Sequence, residues 1–405
     1  MVLQVLVDKN SPEKVGTYHF PKKAPGNSDQ YKLEEYLSES QFSYLNQETI
    51  RFIYKNISDK DVEKVLRKEK PCDATVDIVD LLPKDGVLYV QQGEMGITHV
   101  EDECIKYIGS SDATTCHLLI IRDTTSGVSG VAHIDSVNTS HLNAFISKIK
   151  NLASKKKLAT ADQPKGNTIH QSNQCDLAQP EFKPLDLYVV GGYQDERNMS
   201  SDLSIELLKY IMESRERFLL KIFAVGSLNT TRVMAEVSEN SHNAPILYGA
   251  AIEIASGQVI PARFPYRGPD ETLRHLRLSF CGRKDTFSDP YNHETGEIVV
   301  PAFSVNPNIE NLTYYMRLPD KTFLQFMSTS PKVEPPYFVE NQKKIFRTAI
   351  QNPNMYKDIF PGRCNRVWKL HKEKGWVLTN TYKIIDQEDT EECQHSYCDK
   401  EISAV

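Results

Sequence analysis

The chain has 405 residues, 40% of them apolar and 25% charged, with a formal net charge of −6. That size and balance suit a globular protein with one large core or two modest ones, and they argue against a nucleic-acid binder that relies on a basic face. No apolar run is long enough to cross a bilayer, and Met1 to Lys9 carries no basic leader, so the expected compartment is the cytoplasm or the nucleus. The eight cysteines are scattered rather than framed in pairs, and free thiols are expected.

Residues 1–75 are polar and irregular and read as an N-terminal extension or partial cover, with one thin helical stripe near Asp59 to Lys68. The catalytic region is expected over 76–352. Val87 to Val90 reads as a buried strand. Ser110 to Thr115 is a polar loop, and His117 to Arg122 and Val128 to Asp135 are two strands about a turn at Asp123 to Gly127. Leu142, Phe145, Ile146 and Ile149 make one face of an amphipathic helix. Residues 154–183, with a lysine run and two prolines, are expected to be a disordered insertion.

Asp186 to Val190 resumes the strands and ends in a Gly-Gly turn at Gly191 and Gly192. A helix is predicted from Ser201 to Arg217, then strands at 219–225, 246–254, 258–264 and 297–303. Two more helices are predicted at Pro269 to Phe280 and Pro336 to Ile350. The C-terminal segment, 353–405, places Trp368 and Trp376 in a short strand pair before an acidic tail. Several strands with few intervening helices predict an α+β layered sandwich with a largely antiparallel sheet.

Gly109 to His117 reads GSSDATTCH and puts a thiol where a polar loop enters a buried strand. A turn centred between Thr124 and Thr125 sets Cys116 opposite His133, where cross-strand Cβ atoms lie about 5 Å apart. A one-residue slip would separate them onto opposite faces. His117, next in sequence, points the other way and takes a packing or surface role. An imidazole beside a thiol activates it, and the hydroxyls of Ser110, Ser111, Thr114 and Thr115 are within range to orient that imidazole. Taken alone, the pair reads as core: a small buried thiol and a satisfied histidine.

Five ordered blocks change that weighting: Leu88–Gln92, Gly109–His117, Val190–Gly192, Arg267–Arg274 and Ser328–Glu340. Together they resemble the protein N-terminal asparagine amidohydrolases. The resemblance implies a cysteine hydrolase that turns N-terminal asparagine into aspartate and ammonia, with Cys116 as nucleophile and neither metal nor organic cofactor. It also implies that the product feeds arginylation and ubiquitin-dependent degradation. Ser111 departs from the pattern, where an acidic residue is expected.

A second resemblance, to the chemoreceptor glutamine deamidases and cytotoxic necrotizing factor toxins, rests on spacing: a hydroxyl six residues before the cysteine and a histidine seventeen after. It implies Ser110 as the residue that orients His133, on a sandwich scaffold. Selectivity for a free N-terminus needs an acceptor for the α-ammonium, and the candidates are Asp112, Glu94 and Asp135. The expected partners are proteins or peptides with a free N-terminal asparagine, bound by a monomer, with no nucleic acid and no membrane.

Other motifs carry less. Cys393, His395 and Cys398 offer three metal donors without a second cluster and read as tail. Lys155, Lys156 and Lys157 read as a solvated helix end. Two rival readings stay open, a non-catalytic reader of N-terminal residues and a thiol redox sensor; a hydrolase autoprocessed before Cys116 is disfavoured, because a strand running directly from the loop needs no cleavage.

Overall fold

The computed structural model of the protein describes residues 78–161, 183–234, 241–281 and 287–379, together with three short strands at 3–6, 15–18 and 391–393. In chain order the strands begin with β1 (Leu3–Leu6), β2 (Val15–Tyr18), β3 (Val79–Asp80), β4 (Val87–Tyr89), β5 (Met95–Thr98) and β6 (Tyr107–Ser110). The hairpin β7 (His117–Asp123) and β8 (Val128–Ile134) leads into helix α1 (Thr139–Ala161). Then come β9 (Leu185–Gly191), α2 (Met199–Glu213), β10 (Phe218–Ala224) and two hairpins, β11 (Thr230–Met234) with β12 (Ser241–Pro245) and β13 (Ala250–Glu253) with β14 (Val259–Arg263).

The remainder is α3 (Glu271–Phe280), β15 (Tyr291–Asn292), β16 (Glu297–Val300), β17 (Phe303–Val305), α4 (Ile309–Arg317), α5 (Asp320–Met327), α6 (Phe338–Gln351) and α7 (Met355–Asp358). Strands β18 (Arg366–His371), β19 (Gly375–Thr379) and β20 (Glu391–Cys393) close the chain.

Two sheets matter for the site. A seven-stranded sheet runs β2-β1-β10-β9-β7-β8-β5, and a five-stranded sheet runs β3-β14-β13-β6-β4. Strand β7 pairs antiparallel with β8 on one side and β9 on the other. The β9–β10 and β1–β10 pairs are parallel, as is β4–β6. Four of the six strand pairs in the large sheet are antiparallel, as expected of a largely antiparallel sheet, and the two pairs made by β10 are parallel. The chain returns from β9 to β10 through α2, a crossover that forces a parallel pair. The whole is mixed α/β.

The period of two along a strand sorts the core into layers. Leu118, Ile120, Val131, Val190 and Ile222 face the five-stranded sheet, where they meet Ile108, Ala250 and Ile252. Their neighbours Leu119, Ile121, Ala132, Ile134 and Val189 face the opposite way, onto Leu142, Phe145 and Ile149 of α1 and Leu203 and Leu207 of α2. Helices thus cover one face of the large sheet and a second sheet covers the other. Gly130 has to be glycine in this packing, because a Cβ there would stand 2.8 Å from the Phe145 ring.

Several elements differ from the sequence reading. Helix α1 continues to Ala161, so 154–161 are helical and not the start of an irregular insertion. Lys156 and Lys157, read as solvated, hold the helix end to Glu101 and Asp123 at 2.6 and 3.0 Å. Residues 3–6 and 15–18 join the large sheet, where an irregular extension was expected. The helical stripe at 59–68, the remainder of the insertion, and His395 with Cys398 lie outside the described residues. Cys104, Cys116 and Cys364 are free thiols, whereas Cys281 is disulfide-bonded, against expectation. Helices α4 and α5 were not predicted. Each spans fewer than three turns, too few for an apolar period to stand out.

Candidate active site

Residues 111–116 carry the chain from β6 in the small sheet to β7 in the large one, so the loop is stretched between two rigid layers. Asp112 turns the loop with φ of 61°, a left-handed conformation that aspartate tolerates better than most residues. Ala113 N–H then donates to Tyr248 O at 2.9 Å, and Gly192 N–H donates to Ala113 O at 3.3 Å. The loop is pinned from both sides just before Cys116.

The hairpin register differs from expectation by two residues. His117 pairs with Ile134 and Leu118 with His133, so Cys116 lies diagonal to His133 and not opposite it. The cause is the turn. Asp123 Oδ1 accepts the N–H groups of Thr125 and Ser126 at 2.8 and 3.0 Å, and Gly127 completes the bend with φ of 71°. The loop therefore takes residues 124–127 and centres one position later than expected. A shift of two keeps side chains on their face, so Cys116 and His133 both look into the space between the sheets. They line one cavity of about 310 Å³ with Ser111, Asp112, Thr115 and Asp135.

His133 is 2% exposed and held at three points. Its ring Nδ1 lies 2.7 Å from Ser110 Oγ, at the end of β6. Its backbone N–H donates to Glu94 O at 3.2 Å, and its carbonyl accepts Gly93 N–H at 2.9 Å. The imidazole belongs to the large sheet, the hydroxyl to the small one and the thiol to the loop between them. The two-sheet packing brings all three together.

His117 is on the far face, as its neighbouring position requires. It is fully buried, its Nε2 lies 2.6 Å from Ser204 Oγ on α2, and burial drives its pKa down to about 4. A neutral packed imidazole results.

The three carboxylates nominated for the amine part ways. Asp112 lines the cavity, but Oδ2 pairs with Arg267 Nη2 at 2.6 Å and Oδ1 accepts the Tyr337 hydroxyl at 2.8 Å. Asp135 lines it with Oδ2 accepting from Gln92 Nε2 at 2.6 Å. Glu94 does not line it. It is 1% exposed, faces away, and forms an ion pair with Arg274 (Nε to Oε1, 3.0 Å, and a second contact from Nη2 to Oε2). Its Oε2 also accepts Gln91 N–H at 2.9 Å. Nominating Glu94 for the amine is corrected: its charge is matched inside the protein, and it braces the 91–94 turn that grips His133.

The opposite wall was missed by residue-level reading. It comes from the approach to α3, with Arg267, Glu271 and His275, and from the segment between α5 and α6, with Ser328, Thr329 and Glu334. Arg267 stacks 4.5 Å from the Tyr337 ring. Burial works against the Arg267 charge, but the neighbouring Tyr89, Asp112 and Tyr337 outweigh it and hold the guanidinium protonated. Thr115 Oγ1 lies 3.0 Å from Thr329 Oγ1, which ties this wall to the loop over 111–116. Both segments fall inside blocks that carry the family resemblance, and that was the one signal available. Their distance along the chain from Cys116 hid their role.

The sequence matches the family described as protein N-terminal asparagine amidohydrolase over residues 79–163 and 166–378. Relatives bearing that name include those of pig and human, each 28% identical over 292 residues, which is 72% of this chain and 83% of the relative. The relative of that name in Arabidopsis thaliana is 26% identical over 314 residues, 72% of this chain and 81% of its own length. The matched span includes the loop, the hairpin and both walls of the cavity, and the chain belongs to the protein N-terminal asparagine amidohydrolase family.

Proposed function

We propose that the protein hydrolyses the side-chain amide of asparagine at the N-terminus of proteins, giving N-terminal aspartate and ammonia. One observation carries the reading beyond family membership: a free thiol and a serine-bound imidazole share one face of one hairpin and one cavity.

With Nδ1 committed to Ser110, His133 takes the Cys116 proton on Nε2. The thiolate adds to the side-chain carbonyl carbon, and the oxyanion is met by backbone N–H groups of the loop, including that of Cys116. Loss of one such donor costs roughly 3 kcal/mol of barrier. The C–N bond breaks as His133 returns the proton to the departing ammonia. Water, deprotonated by His133, adds to the thioester and releases aspartate, and the thiol is restored. Every proton passes through His133, which is why its ring must be fixed by Ser110. We read the cysteine, serine and histidine as a catalytic design of the chemoreceptor-deamidase type, a reading supported by the Ser110–His133 contact and the cavity that Cys116 and His133 share. The resulting N-terminal aspartate would be arginylated and read as a signal for ubiquitin-dependent turnover in the cytoplasm.

The test uses peptides that begin with asparagine, glutamine or acetyl-asparagine, and one with internal asparagine. Ammonia release, with a mass gain equal to exchange of –NH2 for –OH, is expected for the first only. Cys116→Ala must abolish it. Full activity in that variant would end the nucleophile assignment, and activity on acetyl-asparagine would end the free-amine requirement.

A further inference from the structure

The geometry points to Glu334 as the group that receives the substrate's α-ammonium and so sets both the free-amine requirement and the choice of asparagine over glutamine. The inference rests on the amidohydrolase reading and names the partner of that same cavity.

The charges around the cavity lead to it. Asp112 has both oxygens engaged, by Arg267 and Tyr337. Glu271 shares Arg267, with Oε1 3.4 Å from Nη1. Asp135 receives Gln92 on Oδ2 and Ser136 on Oδ1. Glu334 differs. Its Oε1 accepts Ser328 Oγ at 2.5 Å and lies 3.1 Å from Ser330 Oγ, and among the described residues no cation pairs with it. Burial pushes its carboxyl up, and the two serine hydroxyls offset that only in part. A largely buried carboxylate that lines the cavity and is fixed by neutral donors lacks one thing: a cation. The α-ammonium of a peptide supplies it, through a short charge-assisted hydrogen bond.

Position supports the same assignment. Ser330 Oγ lies 2.8 Å from Thr114 Oγ1, two residues before the nucleophile. Glu334 is thus tied through one serine to the loop that ends in Cys116. In asparagine the α-nitrogen is one bond nearer the amide carbon than in glutamine. A fixed carboxylate and a fixed sulfur therefore act as the two ends of a gauge. Packing alone separates one methylene by only about 10- to 200-fold. A gauge adds a penalty, because glutamine cannot fill both ends without moving the reacting carbon off the sulfur.

The experiment compares E334Q with the unaltered protein on three peptides: asparagine-first, glutamine-first, and a succinamoyl peptide in which hydrogen replaces the α-amine. The unaltered protein is expected to favour asparagine over succinamoyl by about 1000-fold or more, as a site built for a polar group rejects its absence. In E334Q, kcat/KM on asparagine falls about 100-fold, carried mainly by KM, while the succinamoyl rate stays within about threefold. The preference for asparagine over glutamine shrinks with it. Equal loss on all three peptides with an unchanged melting temperature overturns the assignment, as does no loss on any. If E334Q melts early, E334D decides, since it keeps the charge. Its reach is one methylene shorter, so kcat/KM on asparagine should fall while the succinamoyl rate stays within about threefold, and equal loss on both peptides in a folded E334D overturns the inference. Absence of ammonia release from the unaltered protein on the asparagine peptide would instead defeat the amidohydrolase reading itself.

Discussion

The two faces of the β7–β8 hairpin carry two histidines in closely matched settings. His133 is 2% exposed and bonded to Ser110, and His117 is fully buried and bonded to Ser204. Both serines sit 2.6–2.7 Å from a ring nitrogen. One imidazole looks into the space between two sheets, beside a thiol and a cavity. The other looks under a helix, with Gly192 pressed against it. The proposed mechanism makes His133 the working histidine and His117 a structural one, and neither burial nor a serine partner tells the two apart. What separates them is access to a reacting group, which strand alternation alone assigns.

The largest expected effect comes from exchanging their fates. His133→Gln should lower kcat by about 1000-fold, because the proposed mechanism uses this one residue as both base and acid. His117→Gln, assayed at pH 8, should leave kcat within about threefold. Steady-state ammonia release measures both. Similar losses in the two variants would mean that the face assignment has no catalytic meaning.

Gly192 tests the inert side. A Cβ there would stand 2.1 Å from Ser200 Oγ and 2.5 Å from the His117 ring, at a φ of 68° that already disfavours a side chain. Gly192→Ala should cost about 3 kcal/mol of stability through overpacking and backbone strain. Denaturant unfolding reads the cost, and activity per folded molecule should change little. A loss below about 1 kcal/mol would show that α2 yields easily, and that His117 is held less firmly than its contacts suggest.

Ser110 tests the working side at smaller amplitude. Ser110→Ala should lower kcat about 30-fold with KM nearly constant, since a hydrogen bond to a group that becomes charged is worth roughly 2 kcal/mol. An unchanged kcat would leave the backbone contacts of His133 to Gly93 and Glu94 as its sufficient anchors.

These comparisons also show what the sequence made legible. The hairpin, the helix after it and the opposed faces of residues 116 and 117 follow from alternation and from the Asp-Thr-Thr-Ser-Gly turn. The register was off by two because the Asp123 side chain caps two turn N–H groups, which draws Ser126 and Gly127 into the loop. An even error spares the face, so Cys116 and His133 still line one cavity, diagonal to each other and not opposed. Glu94 shows the opposite case. In sequence it is a loop carboxylate near the site. Only the arrival of Arg274, from a helix 180 residues away, reveals that its charge is already matched. Glu334, in a Ser-Thr-Ser-Pro-Lys-Val-Glu stretch, shows no local sign of lying across the cavity from the thiol. Long-range packing decides such roles, and one chain's pattern does not encode it visibly.

The smallest effect concerns pH. His117 titrates at about 4 in the folded protein, against about 6.5 in an unfolded chain. Between those values the unfolded state binds a proton that the folded state refuses, so stability must fall as the pH drops from about 6.5 towards 4. At the acid end the contribution is on the order of 3 kcal/mol. Buried carboxyls work the other way: Glu334, Asp186 and Asp289 are pushed up by burial, so the folded form holds their protons more tightly and gains stability on acidification. The total curve therefore mixes both signs. The difference between the unaltered protein and His117→Gln isolates the histidine, because the carboxyl terms cancel. That difference should be flat above pH 7 and should shift towards the variant below it, as read by urea midpoints from pH 7.5 to 4.5. A flat difference throughout would mean that His117 takes up its proton without leaving its place under α2, and the contrast between the two faces would then rest on catalysis alone.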